Sequence, residues 1–194
     1  NFMYDKGILK SATFDVPLIS VGNLTTGGTG KTPHIEYLIR LLRKNKRLAT
    51  LSRGYGRSTK GFLIVPEKSS TKMVGDEPMQ YHVKFKDIIV SVCEDRAEGI
   101  EQLLHRTNRP QVILLDDAFQ HRAVKAGYSI LLTQFNKPFS SDLMLPAGNL
   151  REWRIGRKRA DAIVVTKCPN ATTPIAKQWS ERLKFHEKKH WCGF

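Results

Sequence analysis

Apolar residues along this chain fall in short runs, most of them continuous rather than alternating with polar residues. The runs are PLISV at 17–21, LATLS at 48–52, FLIV at 62–65, DIIVSV at 87–92, QVILLDD at 111–117, YSILLT at 128–133 and DAIVVT at 161–166. Each has the length of a strand, and a continuous run is what a strand covered on both faces requires. Between them, Ile35, Leu38, Ile39 and Leu42 share one helical face, and Ile100, Leu103 and Leu104 share another. The alternation predicts an α/β fold, a mainly parallel sheet with helices on both faces. Residues 1–169 are expected to form one core domain. The stretch 136–159, richer in Pro, Gly and Arg, reads as a long functional loop with one short helix. After Lys167 the composition turns polar and the end looks cut off, so 170–194 is expected to begin a truncated C-terminal lobe.

The first strand runs into LTTGGTGKTPH at 24–34. Small residues let successive backbone N–H groups converge on oxyanions, and a helix N-terminus behind them adds a favourable dipole. Thr25, Thr26, Gly27, Gly28, Thr29, Gly30, Lys31 and Thr32 are therefore the candidate nucleotide-binding loop of a P-loop NTPase. Lys31 would reach the β- and γ-phosphates and the Thr32 hydroxyl would face Mg²⁺. Pro33 sits in the first turn of the following helix, where a missing N–H costs nothing. One feature departs from the usual motif: Thr25 stands where a glycine commonly opens the loop.

The run VILLDD delivers Asp116 and Asp117 at the end of another strand, and Mg²⁺ takes hard oxygen ligands at that edge of a sheet. Loop and carboxylates together predict binding of a nucleoside triphosphate with Mg²⁺. Guanine-specific relatives often carry an Asp three places after an Asn or Thr on a late strand. Here Thr166, Lys167 and Cys168 are followed by Pro169, which favours ATP.

Composition narrows the partners. Of 194 residues, 32 are Lys or Arg and 18 are Asp or Glu, a net charge of +14 that draws anions without naming them. Aromatic residues are not interleaved with the basic ones and no nucleic-acid motif is recognised, so no nucleic acid is expected as a partner. Cys93, Cys168 and Cys192 are widely spaced and unpaired by any CxxC, which argues against a disulfide framework or a zinc site. No apolar stretch reaches the eighteen or so residues that span a bilayer.

Six blocks now converge: VGNLTTGGTGKTP, SRGYGR, VGDEP, LDDAFQHR, LPAGNLRE and ADAIVVTK, in that order within 4–169. The chain resembles the tetraacyldisaccharide 4'-kinases, the lipid A 4'-kinases of Gram-negative bacteria. In that family a glycine after the first strand, here Gly22, accompanies a small non-glycine residue at the position of Thr25. The resemblance implies a P-loop kinase core and transfer of the ATP γ-phosphate to the 4'-hydroxyl of tetraacyldisaccharide 1-phosphate. It also implies a lipid A disaccharide precursor and an anionic inner-membrane surface as partners. The enzyme is expected as a peripheral monomer on the cytoplasmic face of that membrane.

By the same resemblance Asp76 accepts the proton of the sugar hydroxyl, with Lys31 assisting catalysis. Thr32, Asp116, Asp117 and Glu152 would hold Mg²⁺ directly or through a neighbour. Arg53, Tyr55, His121, Arg122 and Arg151 would hold the triphosphate or the sugar headgroup, a task suited to arginine's planar fork. Ala118 replaces a family glycine, so a gentler backbone bend is expected there. The family extends beyond this chain at both ends, and its histidine partner of the catalytic carboxylate has no counterpart here; this chain is expected to bind ATP more readily than to turn over lipid. The open alternative is another P-loop kinase or ATPase acting on a soluble metabolite.

Overall fold

The computed structural model describes residues 2–5, 8–169, 179 and 190–193. Each of the apolar runs forms a strand: β1 (Leu18–Asn23), β2 (Leu48–Ser52), β3 (Leu63–Ile64), β4 (Ile89–Val92), β5 (Val112–Asp116), β6 (Tyr128–Gln134) and β7 (Ala162–Thr166). With β8 (His190–Gly193) they make one eight-stranded sheet in the order β3-β4-β2-β5-β1-β6-β7-β8. All neighbours are parallel except β3, which runs antiparallel to β4. The expected lobe from 170 onwards lies outside the described residues, apart from Trp179 and β8.

Helices cover both faces, and two single turns, α1 (Phe2–Asp5) and α3 (Thr71–Val74), accompany them. On one, Ile35 and Ile39 of α2 (Lys31–Leu42) and Tyr81 of α4 (Asp76–Lys84) pack with Val21, Val112 and Leu114. On the other, Ile100 and Leu103 of α5 (Arg96–Leu104) pack with Leu51, Ile113 and Leu115. Full burial of Ile35 and Ile39 stabilises the α2 face by about 1.5–3 kcal/mol each. Strand alternation then decides where Asp116 points: two residues beyond Leu114, it faces α2 and α4. The α5 helix starts where Asp95 accepts hydrogen bonds from the N–H groups of Ala97 (2.8 Å) and Glu98 (3.2 Å). The stretch 136–159 holds two short 3₁₀ turns, at Phe139–Ser141 and Arg154–Arg159, rather than one helix.

The chain leaves β1 toward β2 on one side and leaves β5 toward β6 on the other side of β1. Such a reversal opens a crevice beyond the carboxyl ends of adjacent strands. Val21 pairs with Asp116 in register, so the loops after β1 and β5 leave the same edge side by side.

Candidate active site

Gly22 explains the unusual loop. A Cβ there would lie 2.6 Å from the Phe119 Cβ, so glycine lets the segment after β5 lie against β1. Thr25 is buried and forms an antiparallel bridge to Leu150, and the Thr26 N–H donates to the Asn149 carbonyl at 2.7 Å. The loop is thus fixed by the 143–152 segment at the place where a glycine would otherwise turn it. Thr29 is also buried; its hydroxyl accepts from Asn23 Nδ2 at 2.8 Å, and its carbonyl accepts from Thr166 Oγ1 at 3.1 Å. Its N–H donates to the Gly27 carbonyl at 2.9 Å, so the side chain and backbone of Thr29 together hold the shape of the loop. Gly30 caps α2 in the left-handed region (φ 85), leaving the first N–H groups of α2 directed outward from the helix end.

The two aspartates are adjacent but unlike. Asp116 is buried, and Tyr81 Oη donates to its Oδ2 at 2.9 Å. Burial pushes its pKa up to about 6, against the hydrogen bond from Tyr81, with the charges of Asp117 and Glu77 adding to the rise. Asp117 takes φ 48, so the sharp bend falls one residue before Ala118. Burial would raise the Asp117 carboxyl too, but a two-pronged hydrogen bond from Arg151 (2.9 and 3.2 Å) and the Lys31 charge outweigh it and hold the group below the usual range. Lys31 Nζ stands 3.7 Å from Asp117 Oδ1. Arg151 also donates to the Asn23 side chain and carbonyl, tying the carboxylate edge to the end of β1.

A cleft of about 420 Å³ joins these parts, lined by Lys31, Thr32, Arg53, Tyr55, Asp116, Asp117, His121 and Arg151 among others. Eight of the expected site residues therefore meet in one place. Burial and the neighbouring charges of Arg96 and Arg53 hold His121 below its ordinary pKa, so it is mostly neutral at pH 7. Residues 25–30 of the loop do not line it, and three expected residues outside the loop stand elsewhere. Asp76 is the exposed first residue of α4 and does not line the cleft, whereas its neighbour Glu77 does. Arg122 lines a separate cavity, and its guanidinium lies 5.7 Å from the Tyr4 ring centroid. Glu152 is buried outside the cleft lining, and its carboxylate oxygens accept from Arg159 (2.7 and 2.8 Å) and Gln120 (3.0 Å).

Several contributors carry no sequence signal of their own. Tyr81 reaches Asp116 from α4, and Arg96 lies buried behind it, donating to the Asp116 carbonyl at 3.4 Å. Burial depresses the Arg96 guanidinium to about 10, with Asp116 and Asp117 opposing. Gln120 and Asn23 sat inside two of the six blocks, which could have flagged them; Gln120 Nε2 donates to the Asn23 carbonyl at 2.7 Å. Buried Asp116, the Thr32 hydroxyl and Asp117 offer hard oxygens opposite the loop, a donor set that fits Mg²⁺.

A family model described as Tetraacyldisaccharide-1-P 4'-kinase matches residues 1–191. A tetraacyldisaccharide 4'-kinase of Flavobacterium johnsoniae is 57% identical over 184 residues, covering 95% of this chain and 54% of that protein. One from Porphyromonas gingivalis is 48% identical over 199 residues, covering 100% of this chain and 56% of its own length. The chain thus spans about half the length of the curated relatives it matches. Among solved structures, LpxK from Aquifex aeolicus in complex with ATP superposes with a TM-score of 0.79 at 34% identity, covering 100% of this chain and 76% of that one. A putative plasmid partition protein from Borrelia burgdorferi bound to AMPPNP matches with a TM-score of 0.50 at 12% identity over 92% of this chain and 86% of its own, a likeness of fold alone.

Proposed function

The chain belongs to the tetraacyldisaccharide-1-P 4'-kinase family, and from that premise we propose that it carries the nucleotide site of a lipid A kinase. The reaction transfers the γ-phosphoryl group of ATP to the 4'-hydroxyl of tetraacyldisaccharide 1-phosphate. The sugar oxygen forms a bond to the γ-phosphorus, the bond to the β–γ bridging oxygen breaks, ADP departs, and Asp76, which adjoins Glu77 of the cleft wall, would accept the hydroxyl proton. The observation that carries this reading is the single cleft in which Lys31 and Thr32 face Asp116 and Asp117.

Lys31 is poised for exchange. Its 3.7 Å contact with half-exposed Asp117 is a loose ion pair, readily given up for a phosphate oxygen. Arg151 then still holds Asp117 in place through its paired contacts. Asp116 is a carboxylate whose burial raises its proton affinity, the environment a cation relieves. Bound there by Thr32, Asp116 and Asp117, Mg²⁺ would neutralise charge developing on the phosphates. Glu152, through Gln120, supports the edge from outside the metal's reach. Arg53, Tyr55 and His121 would hold the triphosphate or sugar.

For the membrane, support comes from one surface. Trp153 (71% exposed) and Ile155 (63%) project beside Arg154, Arg157 and Lys158. Apolar rings and basic side chains together suit the interface of an anionic leaflet, where each cation contributes about 1 kcal/mol. Among the described residues no helix is long and apolar enough to cross a membrane. The protein would work there as a peripheral monomer on the cytoplasmic face.

The test is ADP formation by the full-length protein with tetraacyldisaccharide 1-phosphate or soluble alcohols as acceptor. Turnover should require the lipid and fall about 10²- to 10⁴-fold in Asp76→Ala. Activity with soluble acceptors that ignores the lipid would overturn the reading.

A further inference from the structure

A second cavity, of about 270 Å³, lies on the α5 side of the sheet between Ser20, Leu115 and Ser129 of the strands and the segment 118–126. Its charge is one-sided. Arg96, Arg122, Lys125 and Arg159 line it, and among the described residues no carboxylate does. Arg159 is answered by Glu152, whereas Arg96 donates to the backbone carbonyls of Cys93 and Asp116. Two buried polar atoms in the wall have no hydrogen-bond partner among the described residues: Ser20 Oγ and Arg96 Nε, in residues 3% and 2% exposed. Native interiors rarely leave such groups unsatisfied, and an oxyanion would satisfy both kinds of donor.

We propose that this cavity binds a phosphate group, either as the free ion or as the phosphate of a sugar or lipid headgroup. Guanidinium, ammonium and hydroxyl donors converge there in a volume that holds a tetrahedral anion and part of what it is attached to. Among the described residues the cavity shares only His121 with the nucleotide cleft. Its existence does not depend on the kinase reading.

The chain is titrated calorimetrically with inorganic phosphate, N-acetylglucosamine 1-phosphate and N-acetylglucosamine. Parent protein, alone and with a saturating non-hydrolysable ATP analogue that fills the other cleft, is compared with Lys125→Glu, at an exposed position, and with Ser20→Val, which fills the wall. The phosphate-bearing ligands should bind and the neutral sugar should not. Lys125→Glu should weaken binding about tenfold, Ser20→Val should abolish it without lowering the melting temperature, and binding to the cavity should persist with the ATP analogue bound. Tighter binding of the sugar phosphate than of phosphate assigns a headgroup; equal binding assigns the free ion. Binding untouched by Lys125→Glu, or abolished by the ATP analogue, overturns the proposal, and the lysine reversal decides the matter even if Ser20→Val fails to fold.

Discussion

Glu36 and Asp117 are both carboxylates gripped by cations, yet they anchor regions of opposite character. Glu36, with 7% of its side chain exposed, accepts from Lys84 (2.6 Å), Gln80 (2.6 Å) and Arg40 (3.1 Å), and so clamps α2 to α4. Burial would raise its pKa, but those hydrogen bonds hold it below the usual carboxylate range. Asp117, 39% exposed, has Arg151 at full hydrogen-bonding distance and Lys31 beyond it. Saturated, the group is a brace. Left with one cation at 3.7 Å on the wall of a cleft, it is a site that can exchange a partner.

Lys31→Ala should divide the two regions most sharply. Turnover is expected to fall about 10²- to 10³-fold, roughly 3–4 kcal/mol as for the loss of one preorganised donor, while the melting temperature barely moves. Kinetics and thermal unfolding on the same samples check this; a large loss of stability with turnover retained would make Lys31 a second brace.

Asp116→Asn comes next and has an inverted sign. The native pKa of Asp116 is about 6 against 3.8 for the free group, so the folded state binds more protons than the unfolded between those values. Stability therefore falls as pH rises through that window, by about 3 kcal/mol when complete. The asparagine variant, still able to accept from Tyr81, should be more stable than the parent at pH 7 by up to about that amount, with the gap closing below pH 4. Its Mg²⁺-dependent nucleotide binding should be lost. Denaturant unfolding at pH 4 and pH 7 reads the first effect.

Glu36→Ala should cost about 1–2 kcal/mol of stability, since Lys84 and Arg40 are partly exposed and can return to water. ATP affinity should stay within twofold of the parent. The brace is present above the unfolded pKa and lost as pH falls through the lowered folded value, the opposite direction from Asp116. A Glu36→Ala protein that folds normally but no longer binds nucleotide would erase the distinction between the regions.

These contrasts mark where the sequence was legible. Continuous runs such as LATLS and VILLD become strands because both faces are covered, and their pattern needs no knowledge of the neighbours. The antiparallel course of β3 could not be read, since two residues, Leu63–Ile64, carry no orientation. The four residues of β8, His190–Gly193, are too few to show a pattern. In the site, the glycine-rich loop and the aspartate pair announce themselves by residue type. What separates Asp116 from Asp117 does not: it comes from Tyr81, 35 positions earlier, and Arg151, 34 positions later. Proximity in a motif also misleads about direction, as with Arg122 and Glu152, which sit beside cleft residues but turn to the cavity and to Arg159.

The central claim is that the loop after β1 and the carboxylate edge of β5 form one magnesium–nucleotide site. Calorimetric titration of this chain with ATP, with and without Mg²⁺, tests it most directly. Binding should tighten when Mg²⁺ is added in the parent protein and lose that gain in Asp116→Asn. Affinity that is the same with and without the ion, in parent and variant alike, would contradict it.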